Sequence, residues 1–253
     1  METIIKHSSK NYLLDSIKNQ ITFLDARFYK TENGFVPSVS TILEAYPKGA
    51  AYFAWLKKVG EDSDNIRDEA GDRGSTVHHL TERYDDGEEI KLIDENGNIS
   101  FSLLEWSMFE RYVEFRSKFP FEILESEHTI ISEKLGFAGT LDRLILMGGK
   151  KILIDIKTSN AIYPSYWLQL SAYEKLLNER NIFVDDVAIL WLNSKTRTAG
   201  KNGDIQGVGW QLVKHGEDRT KDFELFKATQ NLWMAESGTS KPKETSYSLS
   251  HKL

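Results

Sequence analysis

Three apolar segments separated by very short connections constrain the fold of this chain most strongly. Residues 121–132, 137–147 and 151–157 are strand candidates, and Gly148-Gly149 supplies a tight turn between the last two. A helical pattern follows over 163–179. Because the connections are so short, the apolar runs are expected to pair as neighbouring strands. The pattern therefore predicts paired strands followed directly by a helix.

Other regions of the chain predict further helices and hairpins. The elements expected outside this central region are a hairpin within 21–36, a capped helix start at 37–43, helices over 50–58, 65–84 and 103–119, a hairpin within 88–102, β-rich runs at 184–192 and 207–214, and a terminal helix over 222–235. We find no repeat and no linker, so we expect one domain over 1–240. Residues 1–120 would be mainly helical with hairpins, and the sheet core would span 121–215. The Ser-, Thr- and Lys-rich residues 241–253 are expected to form a flexible tail.

Composition excludes several classes of site. The 253 residues include no cysteine, so the chain can form neither a disulfide, nor a thiolate zinc site, nor a cysteine-ligated iron–sulfur cluster. No apolar run approaches the ~18 residues that span a bilayer, and the first residues lack a signal-peptide pattern. We therefore expect a cytoplasmic protein that does not contact membranes. The net charge of −6 argues against a protein that coats nucleic acid, but not against a nuclease with a local basic groove.

Two carboxylates and a lysine mark the central strands. Asp142 lies on one strand candidate, and Asp155 on the next is followed two residues later by Lys157. Residues i and i+2 of a strand face the same side, so Asp155 and Lys157 point together. Asp142, Asp155 and the Ile156 carbonyl offer the oxygen ligands that Mg²⁺ prefers, while Lys157 could orient or deprotonate a water. The [Asp/Glu]-x-Lys triplet also occurs at 89–91, and a triplet that stands alone is more often a surface salt bridge.

Four side chains elsewhere could complete such a site. Gln169 and Tyr173 lie four residues apart on one helix face and could hydrogen-bond the lysine or a phosphate, although Tyr173 also fits a core position. His78 could be a further metal ligand or a structural histidine. Glu82 lies four residues after it, where it could orient the ring.

In this order, the residues resemble the RecB-type branch of the PD-(D/E)XK nuclease superfamily. The pattern of that branch is a Gly-x-x-x-His helix, a Gly-x-x-Asp strand, an [Asp/Glu]-x-Lys strand and a Gln-x-x-x-Tyr helix. Here it is matched at 74–78, 139–142, 155–157 and 169–173. The segment 37–43 also resembles one in phage exonucleases and in the mitochondrial genome maintenance exonuclease. The resemblance extends from about Phe35 to about Leu177, more than half of the chain.

The resemblance implies an α/β (α+β) fold with a restriction-endonuclease-like core, a central mixed β-sheet flanked by helices and an N-terminal helical and hairpin extension. It also implies one or two Mg²⁺ or Mn²⁺ ions and hydrolysis of DNA to a 5′-phosphate. By motif position His78, Asp142 and Asp155 become metal ligands and Lys157 the catalytic lysine, with Gln169 and Tyr173 supporting the site. An acidic residue on the preceding strand sometimes joins such sites, and the candidates for it are Glu125 and Glu127.

The predicted function is a metal-dependent exonuclease acting on single-stranded DNA ends in replication, recombination or repair, in a bacterial or phage-infected cell. A structure-specific endonuclease and a non-catalytic DNA-binding protein remain as alternatives. The expected DNA contacts are Ser38, Arg73, Lys134, Arg143 and Thr158. The sequence names no protein partner.

Overall fold

A computed structural model describes residues 4–7, 10–13, 19–193, 209–215 and 218–243. The strands are β1 (Ile4–His7), β2 (Lys10–Leu13), β3 (Gln20–Phe23), β4 (Ala26–Thr31), β5 (Gly34–Pro37), β6 (Glu122–Ser132), β7 (Phe137–Met147), β8 (Lys150–Lys157), β9 (Asp186–Trp191) and β10 (Gln211–Lys214). The helices are α1 (Val39–Leu43), α2 (Ala50–Val59), α3 (Ser63–Asp85), α4 (Leu103–Lys118), α5 (Pro164–Glu179) and α6 (Thr220–Ser237), with a 3₁₀ turn at Gly60–Asp62.

The central sheet is mixed and five-stranded, with the order β10-β9-β8-β7-β6. Its first three strands in the chain, β6 to β8, form an antiparallel meander. Helix α5 then crosses over, so that β9 pairs parallel with β8. The protein is thus a mixed α/β fold with helices on both faces of the sheet, as the sequence predicted.

Two apolar layers cover the two faces of the sheet. One contains Leu144, Leu153 and Ile189 together with buried residues of α1, α5 and α6. The other contains Ile145 and Ile154 with buried residues of α3 and α4. Successive strand residues alternate between faces, so neighbouring buried side chains of β7 and β8 point toward different helix layers.

A small antiparallel sheet of β3, β4 and β5 is joined to the core by a bridge between Ser38 and Ala138. Ser38 also begins α1, where its hydroxyl accepts a hydrogen bond from the Thr41 backbone N–H. Helix α4 begins with a capping box formed by Ser102 and Glu105.

Two details outside the central sheet differ from what the sequence pattern predicted. The hairpin predicted within 88–102 is present but short, with one antiparallel bridge between Ile93 and Ile99 and backbone hydrogen bonds on either side of it. Helix α3 also runs unbroken through Gly71 and Gly74, which were expected to interrupt it. The strand predicted at 207–214 begins at Gln211, and residues 207–208 lie outside the described ranges, as do residues 244–253 of the predicted tail. No helix of the described ranges is long and apolar enough to cross a membrane.

Candidate metal centre

Three acidic residues lie side by side on three adjacent strands. Ser126 pairs with Arg143 and His128 with Leu141, so Glu127 of β6 lies beside Asp142 of β7. Arg143 of β7 pairs with Ile154 of β8. Extending this antiparallel register by one residue places Asp142 opposite Asp155. The Ile156 N–H fixes Asp142 further, donating a hydrogen bond of 2.7 Å to its Oδ2. The sheet therefore forms a row of carboxylates from residues far apart in the chain.

His78 of α3 completes a group of ligand atoms with two of these acids. Its Nδ1 lies 3.6 Å from Asp142 Oδ1 and 4.0 Å from Glu127 Oε1. One ligand atom from each of His78, Glu127 and Asp142 lies within 4.8 Å of the others, a spacing that could hold a metal ion. We call these three residues the metal triad. Two carboxylates and an imidazole suit a hard or borderline divalent ion, and the donor set does not fix which one.

Glu127 has an unusual backbone for a strand residue. Its φ of 46° lies in the left-handed region, which residues other than glycine rarely adopt. Such a conformation costs on the order of 1–3 kcal/mol and is most common at functional sites. The Glu127 carboxylate lies 4.0 Å from Nδ1 of His78, so the residue that only loosely fitted the sequence pattern joins the metal triad.

The ring of His78 is oriented by the carbonyl of Ile156. Its Nε2 lies 2.9 Å from that oxygen, and since a carbonyl only accepts, Nε2 carries the hydrogen. Burial by itself lowers the pKa of His78, but the charges of Asp142 and Glu127 outweigh it and raise the pKa to about 9. Without a metal ion the imidazole is therefore cationic at neutral pH, and it would have to lose its Nδ1 proton to bind a metal ion through that atom. The Ile156 carbonyl, a predicted metal ligand, accepts the histidine hydrogen bond here.

A second cluster surrounds the predicted catalytic lysine. Lys157 Nζ lies 2.7 Å from Asp155 Oδ2 and donates to Gln169 Oε1 at 3.1 Å. The Gln169 amide nitrogen is 3.0 Å from Asp155 Oδ1 and 3.0 Å from the Tyr173 hydroxyl. Asp155 Oδ2 is buried, and its contact with the ammonium lacks hydrogen-bond geometry. Asp155 is 1% exposed. Its carboxylate is oriented chiefly by the hydrogen bond from Gln169 and by the ion pair with Lys157.

The two charged members of this cluster shift each other's pKa. Burial lowers the pKa of Lys157, but the neighbouring Asp155 and Asp142 carboxylates outweigh it, and the net pKa is raised. Burial raises the pKa of Asp155 to about 6, against the opposing effect of Lys157. The lysine is therefore held as an ammonium. It is suited to neutralising negative charge on a substrate and poorly suited to accepting a proton from water.

An aromatic side chain that the sequence motifs did not single out lies next to Lys157. The ammonium lies 4.5 Å from the ring centroid of Tyr166, close enough for a cation–π interaction. Tyr166 precedes Gln169 by three residues on α5, so helical spacing would have placed it on the same face of the helix.

Two predicted DNA contacts prove to be internal. The Arg143 side chain is 1% exposed, and its Nε pairs with Asp85 at 3.0 Å. Ser38 is 2% exposed and caps α1. Because neither side chain reaches the surface, both predictions are corrected to structural roles within the protein.

The remaining predicted residues lie near the site with different surroundings. Glu82 is paired with His79, at 3.7 Å from Nδ1, and not with His78 as expected. The ring of His78 is directed instead toward the Ile156 carbonyl and Asp142. Arg73 is half-buried on α3, and its Nε finds no hydrogen-bond partner within the described ranges. Thr158 follows Lys157 directly, and its hydroxyl would lie 3.3 Å from a Cβ added at Gly74.

Comparisons with known proteins give no family. No family model matches the chain, and no curated protein matches it. A crystal structure from Eubacterium rectale, provisionally assigned as an exonuclease, aligns at 11% identity and a TM-score of 0.39, covering 69% of this chain and 70% of that one. The protein SSO0001 aligns at 16% identity and a TM-score of 0.28, covering 49% of this chain and 56% of its own. Likenesses this weak carry no argument, so the site is interpreted on its own geometry.

Proposed function

We propose that the protein is a metal-dependent deoxyribonuclease of the RecB-type PD-(D/E)XK kind, acting as an exonuclease on single-stranded DNA ends. One observation carries the proposal: the metal triad lies directly beside a buried Asp155–Lys157 ion pair on adjacent strands. The alternative explanation for the Asp155-Ile156-Lys157 triplet was a solvated salt bridge on the surface. Such a pair would leave its aspartate exposed, whereas Asp155 is 1% exposed. The likeness of the sequence motifs to that branch supports the same function.

The residues divide the chemistry between them. His78, Glu127 and Asp142 would hold Mg²⁺ or Mn²⁺, with Asp155 next to them in the strand row. A bound divalent ion supplies a water of lowered pKa and polarises the scissile phosphate. Hydrolysis would join the water oxygen to phosphorus and break the bond to the 3′ oxygen. The water would lose its proton to solvent and the departing oxygen would take one up as a 3′ hydroxyl, which leaves a 5′-phosphate as the resemblance implies.

Lys157 would act on the phosphate and not on the water. Its ammonium is fixed by Asp155 and Gln169, and its side chain is 17% exposed, so some of it faces outward. A fixed cation at this position stabilises the charge that develops on the phosphate oxygens, without having to reorganise during the reaction. Tyr166 and Gln169 keep it in place. A role for Lys157 as a general base fits its raised pKa less well.

The proposal is tested by incubating end-labelled single- and double-stranded DNA with the full chain in Mg²⁺ or Mn²⁺. Degradation should occur with either ion, stop on addition of chelator and prefer single strands. The matched variants are Lys157→Ala and Lys118→Ala, the latter an exposed lysine paired with Glu114 on α4. Only the first should lose activity. Metal-independent degradation, or equal activity in both variants, contradicts the proposal.

Covalently closed circular DNA separates the exonuclease from a structure-specific endonuclease. Both activities use the same site, but only an endonuclease cuts a molecule without ends. Single- and double-stranded circles should remain intact under conditions that degrade linear DNA. Cleavage of circles as fast as linear DNA would leave a nuclease but remove the requirement for an end, and binding without cleavage in Mn²⁺ would favour a non-catalytic DNA-binding protein.

A further inference from the structure

A buried charge network lies behind the metal triad and has no role in the chemistry described above. Asp85, the last residue of α3, has a side chain only 2% exposed. Three donors contact its carboxylate: the Tyr112 hydroxyl at 2.5 Å, Arg116 Nε at 3.1 Å and Arg143 Nε at 3.0 Å. Buried charges are costly unless they are fully paired. Asp85 is thus a fixed anchor between α3, α4 and β7.

Arg143 connects this anchor to the metal triad. While its Nε is held by Asp85, its Nη1 donates to the Asp142 carbonyl oxygen at 2.8 Å and lies 3.5 Å from Glu127 Oε1. Its Nη2 donates to Thr81 Oγ1 at 3.3 Å. A guanidinium is a rigid planar fork, so fixing one nitrogen fixes the direction of the others. The positive end of Arg143 is therefore aimed at Glu127 from the protein side.

Glu127 is the member of the metal triad that most needs such support. Its left-handed backbone lies in the middle of a strand, and its side chain is 32% exposed. A long, partly exposed carboxylate loses rotamer freedom when it binds a cation. An arginine that is already in place reduces that loss because it restricts the carboxylate before the cation arrives.

We propose that Arg143, held by Asp85, is a positioning residue that orients the Glu127 carboxylate for a divalent cation. The inference rests on the metal triad of the proposed function. Partners that orient metal ligands typically change metal affinity about 10- to 100-fold when they are removed. A role for Arg143 limited to joining α3 to the sheet would change stability and leave metal affinity unaltered.

Arg116 offers a matched control for this distinction. It pairs with the same Asp85 carboxylate but donates its Nη1 to the Phe121 carbonyl, away from Glu127. Mn²⁺ binding to the metal-free full chain, without DNA, would be measured by electron paramagnetic resonance for Arg143→Met and Arg116→Met, with urea unfolding in chelator alongside. Both variants should be less stable. Arg143→Met alone should bind Mn²⁺ about 10- to 100-fold more weakly.

A double-mutant cycle with Glu127→Gln tests the route of the effect. If Arg143 acts through Glu127, adding Arg143→Met to Glu127→Gln should change Mn²⁺ affinity by less than about threefold. Should Arg143→Met fail to fold, Arg143→Lys replaces it, because an ammonium keeps the charge but cannot hold Asp85 and Glu127 together. An equal loss of affinity in the Arg116 control, or an undiminished loss in the Glu127→Gln background, overturns the proposal.

This readout separates the two proposals. A wild-type chain that binds Mn²⁺ in the predicted pattern but cleaves no DNA would refute the nuclease function and leave the positioning role standing. If the wild type cleaves DNA but Arg143→Met binds Mn²⁺ as tightly as the wild type does, the nuclease function stands and the positioning role is refuted. If the wild type binds no Mn²⁺, the positioning role is overturned.

Discussion

Gly139 and Tyr173 are in such close contact that no other residue fits at position 139 without displacement. A Cβ added to Gly139 would lie 2.3 Å from Cε1 and 2.9 Å from Cδ1 of the Tyr173 ring. Tyr173 in turn accepts the hydrogen bond of Gln169, which orients Asp155. The glycine of the Gly-x-x-Asp segment thus makes room for the tyrosine of the Gln-x-x-x-Tyr segment.

Replacing Gly139 by alanine should therefore disturb the site as well as the core. We expect Gly139→Ala to lower the free energy of unfolding by about 1–3 kcal/mol, because the ring has to move within a packed layer. DNA cleavage should fall in parallel. Gly71→Ala is the control, since Gly71 lies in α3 with nothing within 4 Å of an added Cβ. That change should be neutral or stabilising by up to about 1 kcal/mol. Equal effects at both positions would argue against the contact.

The charge on His78 predicts a pH dependence of stability in metal-free protein. Its pKa in the folded state, about 9, lies above the ordinary value of 6.5. Its ion pairs with Asp142 and Glu127 therefore stabilise the fold fully below pH 6.5, and this contribution is lost as the pH rises through about 9.

Urea unfolding of the wild type and His78→Gln in chelator, between about pH 6 and 9.5, measures this contribution. The glutamine amide can still donate to the Ile156 carbonyl but carries no charge. The wild type should be the more stable protein at the acidic end, and the difference should shrink steadily above pH 6.5. The titration of Asp155 does not cancel in this comparison, because the charge of His78 lowers the pKa of Asp155. The test therefore uses the change near pH 9, well above the Asp155 pKa of about 6. A difference that stays constant with pH would show that His78 is not the charged group.

Metal binding should stabilise the fold through the metal triad. A ligand that binds only the folded state raises its stability by about 2.7 kcal/mol at 100 times its dissociation constant. We expect Mn²⁺ to raise the melting temperature of the wild type, and to do so much less for Glu127→Gln and Asp142→Asn. Glu125→Gln is the neighbouring control on the same strand, where the carboxylate pairs with His128. Its response to Mn²⁺ should match that of the wild type.

Gln169 should affect catalysis and not metal binding. Its amide contacts Asp155, Lys157 and Tyr173, but none of its atoms belongs to the metal triad. In Gln169→Leu the lysine and aspartate lose their shared partner, so we expect kcat to fall about 10- to 100-fold by misplacement of the charged pair. Mn²⁺ affinity, measured without DNA, should change little. A large loss of affinity would instead assign Gln169 to the metal site.

Local patterns predicted the elements of the fold that depend on neighbouring residues. The strands over 122–157 and helix α5 follow from apolar runs, a Gly-Gly turn and helical periodicity, and the structure confirms them. The row of carboxylates depends instead on strand register over long sequence separations. A bulge before Glu125 and the left-handed Glu127 decide which acid of β6 faces Asp142, and no local pattern encodes that choice.

The burial of Arg143 could not be predicted for a similar reason. A lysine or arginine beside a metal-binding aspartate suggests a phosphate contact, because charged residues are usually exposed. Here Asp85 and Tyr112 come from two helices that meet only in the folded protein, and they provide the partners that allow a guanidinium to be buried. The choice between a surface and an interior cation is made by tertiary packing.

In the proposed mechanism Lys157 acts on DNA at a metal site to which it contributes no ligand. Single-turnover cleavage of end-labelled single-stranded DNA in saturating Mn²⁺, with Mn²⁺ affinity measured on the same samples, tests it for the wild type and Lys157→Ala. We predict equal Mn²⁺ affinity within about threefold, and a cleavage rate at least about 100-fold lower in the variant. A variant that binds Mn²⁺ normally and cleaves at the wild-type rate would contradict the account.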